Sequence, residues 1–340
     1  MADSRILVIY TGGTIGMVPS TAGLVPGDDI QHRLTQAVAT LPADRRDALP
    51  SFELLALTPL IDSSNATPHD WLALMDLIQA QHTAYDGIVV LHGTDTLAWC
   101  SAFLGGTVAA LPLPIIVTGA QRPLDVSESD ALGNIELALH AAKCGQSGVA
   151  VAFGDQLLDG TASRKWSTHA DQGFISPNQA VLAYWPEQRR HSPLPKWVSP
   201  PQPAISLTST HRPLPQVMRI VLWPGMPAAT VETLLSHADG AVLEAWGSGN
   251  IPDDPALQSV IREATQRGVM LVAISQCPYG SIDMTTYATG QALLKSGVVS
   301  GEAFTPERVF SALFIASFGE TDHARRRARL QHLLDPGPCH

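Results

Sequence analysis

Cysteine is scarce in this chain of 340 residues, and the few that occur lie far apart. The thiols belong to Cys100, Cys144, Cys277 and Cys339, with no CxxC pair and no metal-ligand spacing. This excludes a disulfide framework and a zinc ribbon, and indicates a reducing compartment. No apolar run reaches the roughly 20 residues that a membrane-spanning helix needs, and no basic leader precedes an apolar stretch. These absences predict a soluble, cytoplasmic protein.

Positive charge is also in short supply, with 21 lysines and arginines against 31 aspartates and glutamates. The net charge of −10 would repel a phosphate backbone, and no concentrated basic patch occurs. Hydrophobic residues make up 45% of the chain and charged residues only 15%, which is typical of a globular protein. We therefore expect no nucleic-acid partner and no membrane partner.

Several common catalytic and nucleotide-binding motifs are missing. The chain has no GxSxG elbow, "GGTIGM" does not supply the GxGxxG fingerprint, and no Walker lysine follows the glycines. A nucleotide-binding domain remains the structural alternative, and it would predict affinity for NAD or ATP that we do not expect.

Apolar runs alternate with helix-like stretches through the first half of the chain. Strands are predicted at 5–10, 52–57, 87–92, 115–118 and 149–153. Helices are predicted around 30–40, 68–82, 96–110 and 129–143. Strands that alternate with helices form right-handed βαβ units. The pattern predicts an α/β fold with a doubly wound, mainly parallel sheet.

A proline-rich segment separates this region from a second, smaller set of strands and helices. Residues 186–215 lose helical periodicity, which is typical of a semi-rigid linker with short edge strands at most. Beyond it, strands are predicted at 217–223, 240–244 and 269–274, and helices at 229–237, 255–266 and 305–318. We expect an N-terminal catalytic α/β domain (1–185), a linker (186–215) and a C-terminal α/β domain (216–340).

Several apolar runs of the first half end in hydroxyls or carboxylates. In open α/β sheets, ligands bind at the carboxyl ends of the strands, so these residues are candidates for one site. The stretches "LVIYTGGTIGMV", "TPLIDSSNATPHDW", "GIVVLHGTDTLAW" and "PIIVTGAQRP" contribute Thr14; Asp62, Ser63 and Ser64; Thr94 and Asp95; and Thr118, Gly119 and Ala120.

Helix capping is the alternative explanation for two of these groups. Thr94 or Asp95 would cap the helix that follows, and a capping box would account for Thr67 and Asp70. The capping box would leave Ser63 and Ser64 unexplained.

A threonine nucleophile is the chemistry that remains once the missing motifs are set aside. Its hydroxyl is barely acidic and needs a base nearby. Lys165 lies in a polar segment after the fifth predicted strand, where a loop can fold over the strand ends. A surface lysine is the alternative for that residue.

Taken together, these residues resemble the bacterial-type L-asparaginases, in particular the cytoplasmic (type I) branch. The resemblance covers almost the whole chain. The matching blocks stand in family order: "YTGGTIGM", "TPLIDSSNATPHDW", "LHGTDTLAW", "VTGAQRPL", "SRK", "ISPN", "GSGNIP", "SQC" and "YATG".

The resemblance implies hydrolysis of the side-chain amide of L-asparagine through a threonine acyl-enzyme, without a metal or an organic cofactor. It implies a homodimer or homotetramer that acts on a small amino acid. The implied catalytic residues are Thr14, Thr94, Asp95 and Lys165. The implied substrate-binding residues are Asp62, Ser63, Ser64, Gly93, Ala120 and, for the neighbouring subunit's site, Asn250.

Two positions depart from the family pattern. Leu24 stands where the family usually has a tyrosine on a lid, and Glu244 stands where effector-binding members have an arginine. Leu24 leaves open a catalytically impaired amino-acid sensor and an amidohydrolase that prefers glutamine or another amide, and an amidotransferase subunit is a separate alternative. The negative charge argues against the last of these.

Overall fold

The computed structural model describes residues 4–21, 23–208, 212–285 and 288–335. The chain forms two compact units that divide between Ser206 and Leu207. Cys339 lies outside the described residues, and the described cysteines are free thiols. No helix within the described ranges is long and apolar enough to cross a membrane.

The first unit is built on a seven-stranded sheet. Its described strands are β1 (Arg5–Tyr10), β2 (Met17–Ser20), β3 (Gly23–Pro26), β4 (Ser51–Ala56), β5 (Gly87–Leu91), β6 (Pro114–Thr118), β7 (Gly148–Phe153), β8 (Gln156–Asp159), β9 (Arg164–Lys165), β10 (Phe174–Ile175) and β11 (Ala183–Tyr184). The sheet order is β11-β8-β7-β6-β5-β1-β4. Strands β7, β6, β5, β1 and β4 are parallel, whereas β8 and β11 form an antiparallel edge. Two antiparallel ribbons, β2–β3 and β9–β10, lie outside this sheet.

Helices cover both faces of this sheet. They are α1 (Ile30–Ala39), α2 (Ala43–Ala48), α3 (Pro68–Gln81), α4 (Leu97–Val108) and α5 (Ala131–Cys144). Alternate residues of β1 and β5, such as Val8 and Val89, join one core cluster with α1 and α5. Their neighbours Ile9 and Val90 are equally buried on the opposite face. Strands buried on both faces explain the uniformly apolar runs, and the doubly wound, mainly parallel sheet is confirmed.

The second unit is a smaller α/β unit with its own core. Its strands β12 (Val217–Val221), β13 (Gly240–Ala245), β14 (Met270–Ser275) and β15 (Val299–Ser300) form a parallel sheet in that order. The helices of its described part are α6 (Ala228–Leu235), α7 (Pro255–Gln266), α8 (Ala288–Lys295), α9 (Pro306–Ser317) and α10 (His323–Leu333).

Part of the proline-rich segment packs against the first unit. The Trp197 side chain is buried, and its Nε1 donates to the Ala141 carbonyl at 3.1 Å. Gln202 pairs with the backbone of Val149 in both directions at 2.8 Å. Residues 197–202 therefore cover the amino-terminal end of β7, and the division into units falls within the proline-rich segment, after Ser206.

Candidate active site

The carboxyl ends of β1, β5 and β6 come together at one edge of the sheet. The turn after β1 lies so close to the turn after β5 that a Cβ at Gly13 would collide with the Gly93 backbone. A Cβ at Gly119, after β6, would collide with the His92 carbonyl. Thr11 N donates to the Leu91 carbonyl at 3.0 Å. Three of the strand ends predicted from sequence are therefore neighbours.

The turn after β1 presents Thr14. Gly12 and Gly13 have φ values of 128° and 91°, a region that side-chain-bearing residues rarely adopt. This backbone turns the chain sharply into a single 3-10 turn that begins at Thr14. Thr14 is half-buried, and among the described residues its hydroxyl makes no hydrogen bond to Thr94 or Lys165.

Lys165 is held by the two polar residues that follow β5. Its Nζ donates to Thr94 Oγ1 at 2.9 Å and to Asp95 Oδ1 at 2.8 Å. The Thr94 residue is buried, whereas 59% of the Asp95 side chain is exposed. The first residue of the following helix is Leu97, and its N-cap is Thr96. The capping explanation for Thr94 and Asp95 is therefore wrong, because their side chains bind the amine instead.

The loop after β4 reaches the same edge. The amide of Ile61 donates to the Thr11 carbonyl at 2.6 Å. Ser63 is buried, its carbonyl accepts from Thr96 Oγ1 at 2.8 Å, and its hydroxyl occupies the space that a Cβ at Gly93 would need. The loop therefore packs directly against the turn that carries Thr94.

Asp62 organises that loop from within. One carboxylate oxygen accepts from Ser64 N at 3.0 Å, and the other accepts from Ser64 Oγ and Asn65 Nδ2, both at 2.8 Å. The hydrogen bonds from Ser64 hold the pKa of Asp62 below its ordinary value. Asp62 thus fixes Ser64, while the predicted capping box of Thr67 and Asp70 starts α3 as expected.

The turn after β6 holds Ala120, which is buried. Two residues that the sequence did not single out, Asp130 and Asn134, fix this turn. The Asp130 carboxylate accepts from the amides of Gln121 and Arg122, each at 2.9 Å. Asn134 Nδ2 donates to the Gly119 carbonyl at 3.0 Å. Gln121 was visible in "VTGAQRP", but Asp130 and Asn134 lie in a helical stretch whose pattern signals no site.

Comparison with known families agrees with this geometry. The family model "Asparaginase, N-terminal" matches residues 5–195, and "Glutaminase/Asparaginase C-terminal domain" matches residues 216–330. The chain belongs to the asparaginase family. "L-asparaginase 1" of Escherichia coli (strain K12) is 36% identical over 98% of this chain and 98% of its own length.

Solved asparaginase structures share the fold. L-asparaginase I from Vibrio cholerae O1 biovar eltor superposes with a TM-score of 0.79 at 31% identity, over 97% of each chain. The thermostable L-asparaginase from Thermococcus kodakarensis gives 0.80 at 28% identity, over 96% of this chain and 97% of that one. The resemblance inferred from the sequence blocks is thus confirmed.

The structure shows where the two residues that depart from the asparaginase pattern lie, and where Tyr10 lies beside the turn after β1. Leu24 lies on β3 of the β2–β3 ribbon and is 48% exposed. Tyr10 is buried with its hydroxyl against Gly16, and burial raises its pKa. In the second unit, the buried Glu244 pairs with Arg219.

Asn250 also lies in the second unit. Its backbone forms a bridge with Trp246, with both hydrogen bonds at 2.9 Å. No cluster of three or more metal-ligating side chains occurs within the described part of the chain.

Proposed function

We propose that this chain is an L-asparaginase that hydrolyses the side-chain amide of L-asparagine to L-aspartate and ammonia, with Thr14 as nucleophile. The observation that carries the proposal is the Lys165 amine, bound to both Thr94 and Asp95 beside the turn that presents Thr14. A hydroxyl, a base and a carboxylate that orients the base are the parts that an activated nucleophile needs.

In the proposed acylation step, the Thr14 hydroxyl oxygen attacks the amide carbon of the substrate. The hydroxyl proton passes through Thr94 to the Lys165 amine, which acts as the base, and from there to the leaving nitrogen, which departs as ammonia. Backbone N–H groups at the turns after β1 and β5 stabilise the oxyanion, and one such donor is worth roughly 10² to 10³ in rate. Water, deprotonated along the same route, then attacks the ester carbon and releases aspartate and the Thr14 hydroxyl.

The charged ends of the substrate have matching groups at this edge of the sheet. Asp95 accepts from Lys165 through Oδ1, and its other carboxylate oxygen is assigned to the substrate's α-ammonium. Ser63 and Ser64 are assigned to the α-carboxylate, with Asp62 holding Ser64 in place. Charged and hydrogen-bonding groups for both ends favour a small amino acid as substrate.

Steady-state ammonia release from L-asparagine, L-glutamine and D-asparagine tests this proposal. We expect turnover of L-asparagine to exceed that of the other two amides. Equal turnover of L-glutamine would favour the broader amidohydrolase alternative. No ammonia from any of the three would refute the proposed activity.

Leu24 favours a second candidate function, an amino-acid sensor that binds without turnover. The exposed Leu24 side chain supplies no hydroxyl where the family usually has a tyrosine. Calorimetric binding of aspartate without ammonia release would support the sensor. A Leu24→Tyr variant is the matched test: a rise in kcat of about 10-fold or more would mean that the missing hydroxyl limits turnover.

We also propose that the protein is a homodimer or homotetramer in the cytoplasm. Family membership and the Asn250 block support the assembly, and symmetric self-association is the commonest arrangement for such proteins. The free thiols of the described cysteines fit a reducing compartment. Sedimentation velocity measures the assembly, and a monomer at micromolar concentration would contradict it.

A further inference from the structure

A glutamine connects the turn that holds Ala120 to the ribbon that carries Lys165. Gln121 Nε2 donates to the Ser167 carbonyl at 3.0 Å and lies 3.4 Å from the Ala170 carbonyl. Both acceptors belong to the loop that joins β9 to β10. A Cβ at Gly173, at the end of that loop, would come within 2.5 Å of the same nitrogen. The backbone of this loop therefore packs closely around the side-chain amide of Gln121.

The loop in turn fixes Lys165. The ribbon is only two residues deep, with Phe174 opposite Lys165. It is closed by the amides of Trp166 and Ser167, which donate to the Gly173 carbonyl at 2.8 and 3.2 Å. A ribbon this short is marginal by itself and needs outside support to hold one geometry.

The other end of Gln121 is anchored in the body of the first unit. The backbone N–H of Gln121 donates to the Asp130 carboxylate at 2.9 Å, and the Asp130 side chain is only 5% exposed. Asn134, which is buried, bonds to Asp130 at 3.1 Å and accepts from the Gly154 amide at 2.9 Å. The anchor therefore lies at the start of α5 and next to the end of β7.

A second, weaker contact also joins the turn after β6 to the loop between β9 and β10. Arg122 Nη2 contacts Asp171 at 2.6 Å, with side chains 36% and 65% exposed. Solvent screens such a surface pair, and pairs of this kind contribute little. The side-chain amide of the half-buried Gln121 is thus the main connection between the turn after β6 and the loop that joins β9 to β10.

We propose that Gln121 is a positioning residue that holds the Lys165 amine at the Thr94–Asp95 pair, and that it serves turnover rather than substrate binding. This inference rests on the proposed function. A base displaced by about 1 Å loses much of its rate contribution while the groups that bind the substrate stay in place. Removing the Gln121 amide is therefore expected to lower kcat and leave KM nearly unchanged.

The test compares Gln121→Met and Gln121→Glu with the wild type and with a matched control. Methionine keeps the length and loses the donor, whereas glutamate keeps the shape and sets a carboxylate against two carbonyls. Gln276→Met is the control, because Gln276 Nε2 also donates to two backbone carbonyls, those of Leu222 at 2.7 Å and Glu244 at 2.9 Å, but in the second unit. We expect kcat to fall about 10-fold for methionine and further for glutamate, with KM within about 2-fold of wild type.

Amide hydrogen exchange supplies a readout that does not depend on turnover. The Trp166 amide is expected to exchange faster in Gln121→Met than in the wild type, and at the wild-type rate in Gln276→Met. Wild-type kcat or unchanged Trp166 exchange in Gln121→Met would overturn the inference and leave the proposed activity standing. The same is true of a Gln121→Glu variant milder than Gln121→Met, which packing alone predicts. A wild-type chain that releases no ammonia would refute the proposed activity first, and this inference with it.

Discussion

Replacing Thr94 with valine removes the hydroxyl that is proposed to relay the proton from Thr14 to the Lys165 amine, while keeping the side-chain volume. Thr94 is buried and accepts from Lys165 Nζ at 2.9 Å. A hydrogen bond to a charged group contributes about 1.5–3 kcal/mol, which corresponds to roughly 10- to 150-fold in rate if it is made in the transition state. The remaining pair with Asp95 is too exposed to compensate. We therefore expect kcat for ammonia release to fall by about 10- to 150-fold.

Thr94→Ser is the matched control, because serine keeps the hydroxyl and loses only a methyl group. Its kcat is expected to stay within about 5-fold of wild type. Both variants should unfold within a few degrees of the wild type, since neither leaves a buried charge unpaired. A valine variant with wild-type kcat would refute the role given to Thr94. So would a serine variant as slow as the valine variant.

Three further predictions concern folding rather than turnover. Burial lowers the pKa of His140 to about 4, so as the pH drops the imidazole is protonated in the unfolded chain before it is protonated in the folded chain. The free energy of unfolding should therefore fall by up to about 3 kcal/mol between about pH 6.5 and pH 4. His140→Phe should flatten this dependence in urea unfolding measured across that pH range. Arg45→Met leaves the fully buried Glu136 with Arg190 as its remaining partner and should lower the free energy of unfolding by roughly 3 kcal/mol. An unchanged free energy of unfolding would show that the Arg45–Glu136 pair does not stabilise the fold. Gly13→Ala should lower the melting temperature more than Gly23→Ala, because only Gly13 meets neighbouring backbone; equal shifts would contradict the close approach.

The buried strands were the most predictable part of the fold. In β5 every residue is buried, so the apolar run in the sequence marks the strand almost to the residue. The β2–β3 ribbon was missed because it carries Pro19 and Pro26, which argue against a strand, and because it is held by only four residue pairs. The β9–β10 ribbon is too short for any periodicity to register.

The candidate site was predictable where chemistry-bearing residues follow an apolar run. Thr14, Thr94 and Asp95 stand at strand ends, so topology alone brings them to one edge. Whether Asp95 caps a helix or binds Lys165 depends on a contact across 70 residues, which no local pattern encodes. Gln121 escaped notice for the same reason, because its side chain bonds to backbone carbonyls in a distant loop.

Ammonia release by Thr14→Ala is the most direct test of the central claim, that the Thr14 hydroxyl forms the acyl-enzyme. The substitution removes one half-buried hydroxyl next to a turn that Gly12 and Gly13 already determine, so the melting temperature should stay at the wild-type value. Activity on L-asparagine should fall to the assay background. A folded Thr14→Ala variant that releases ammonia at the wild-type rate would contradict the account.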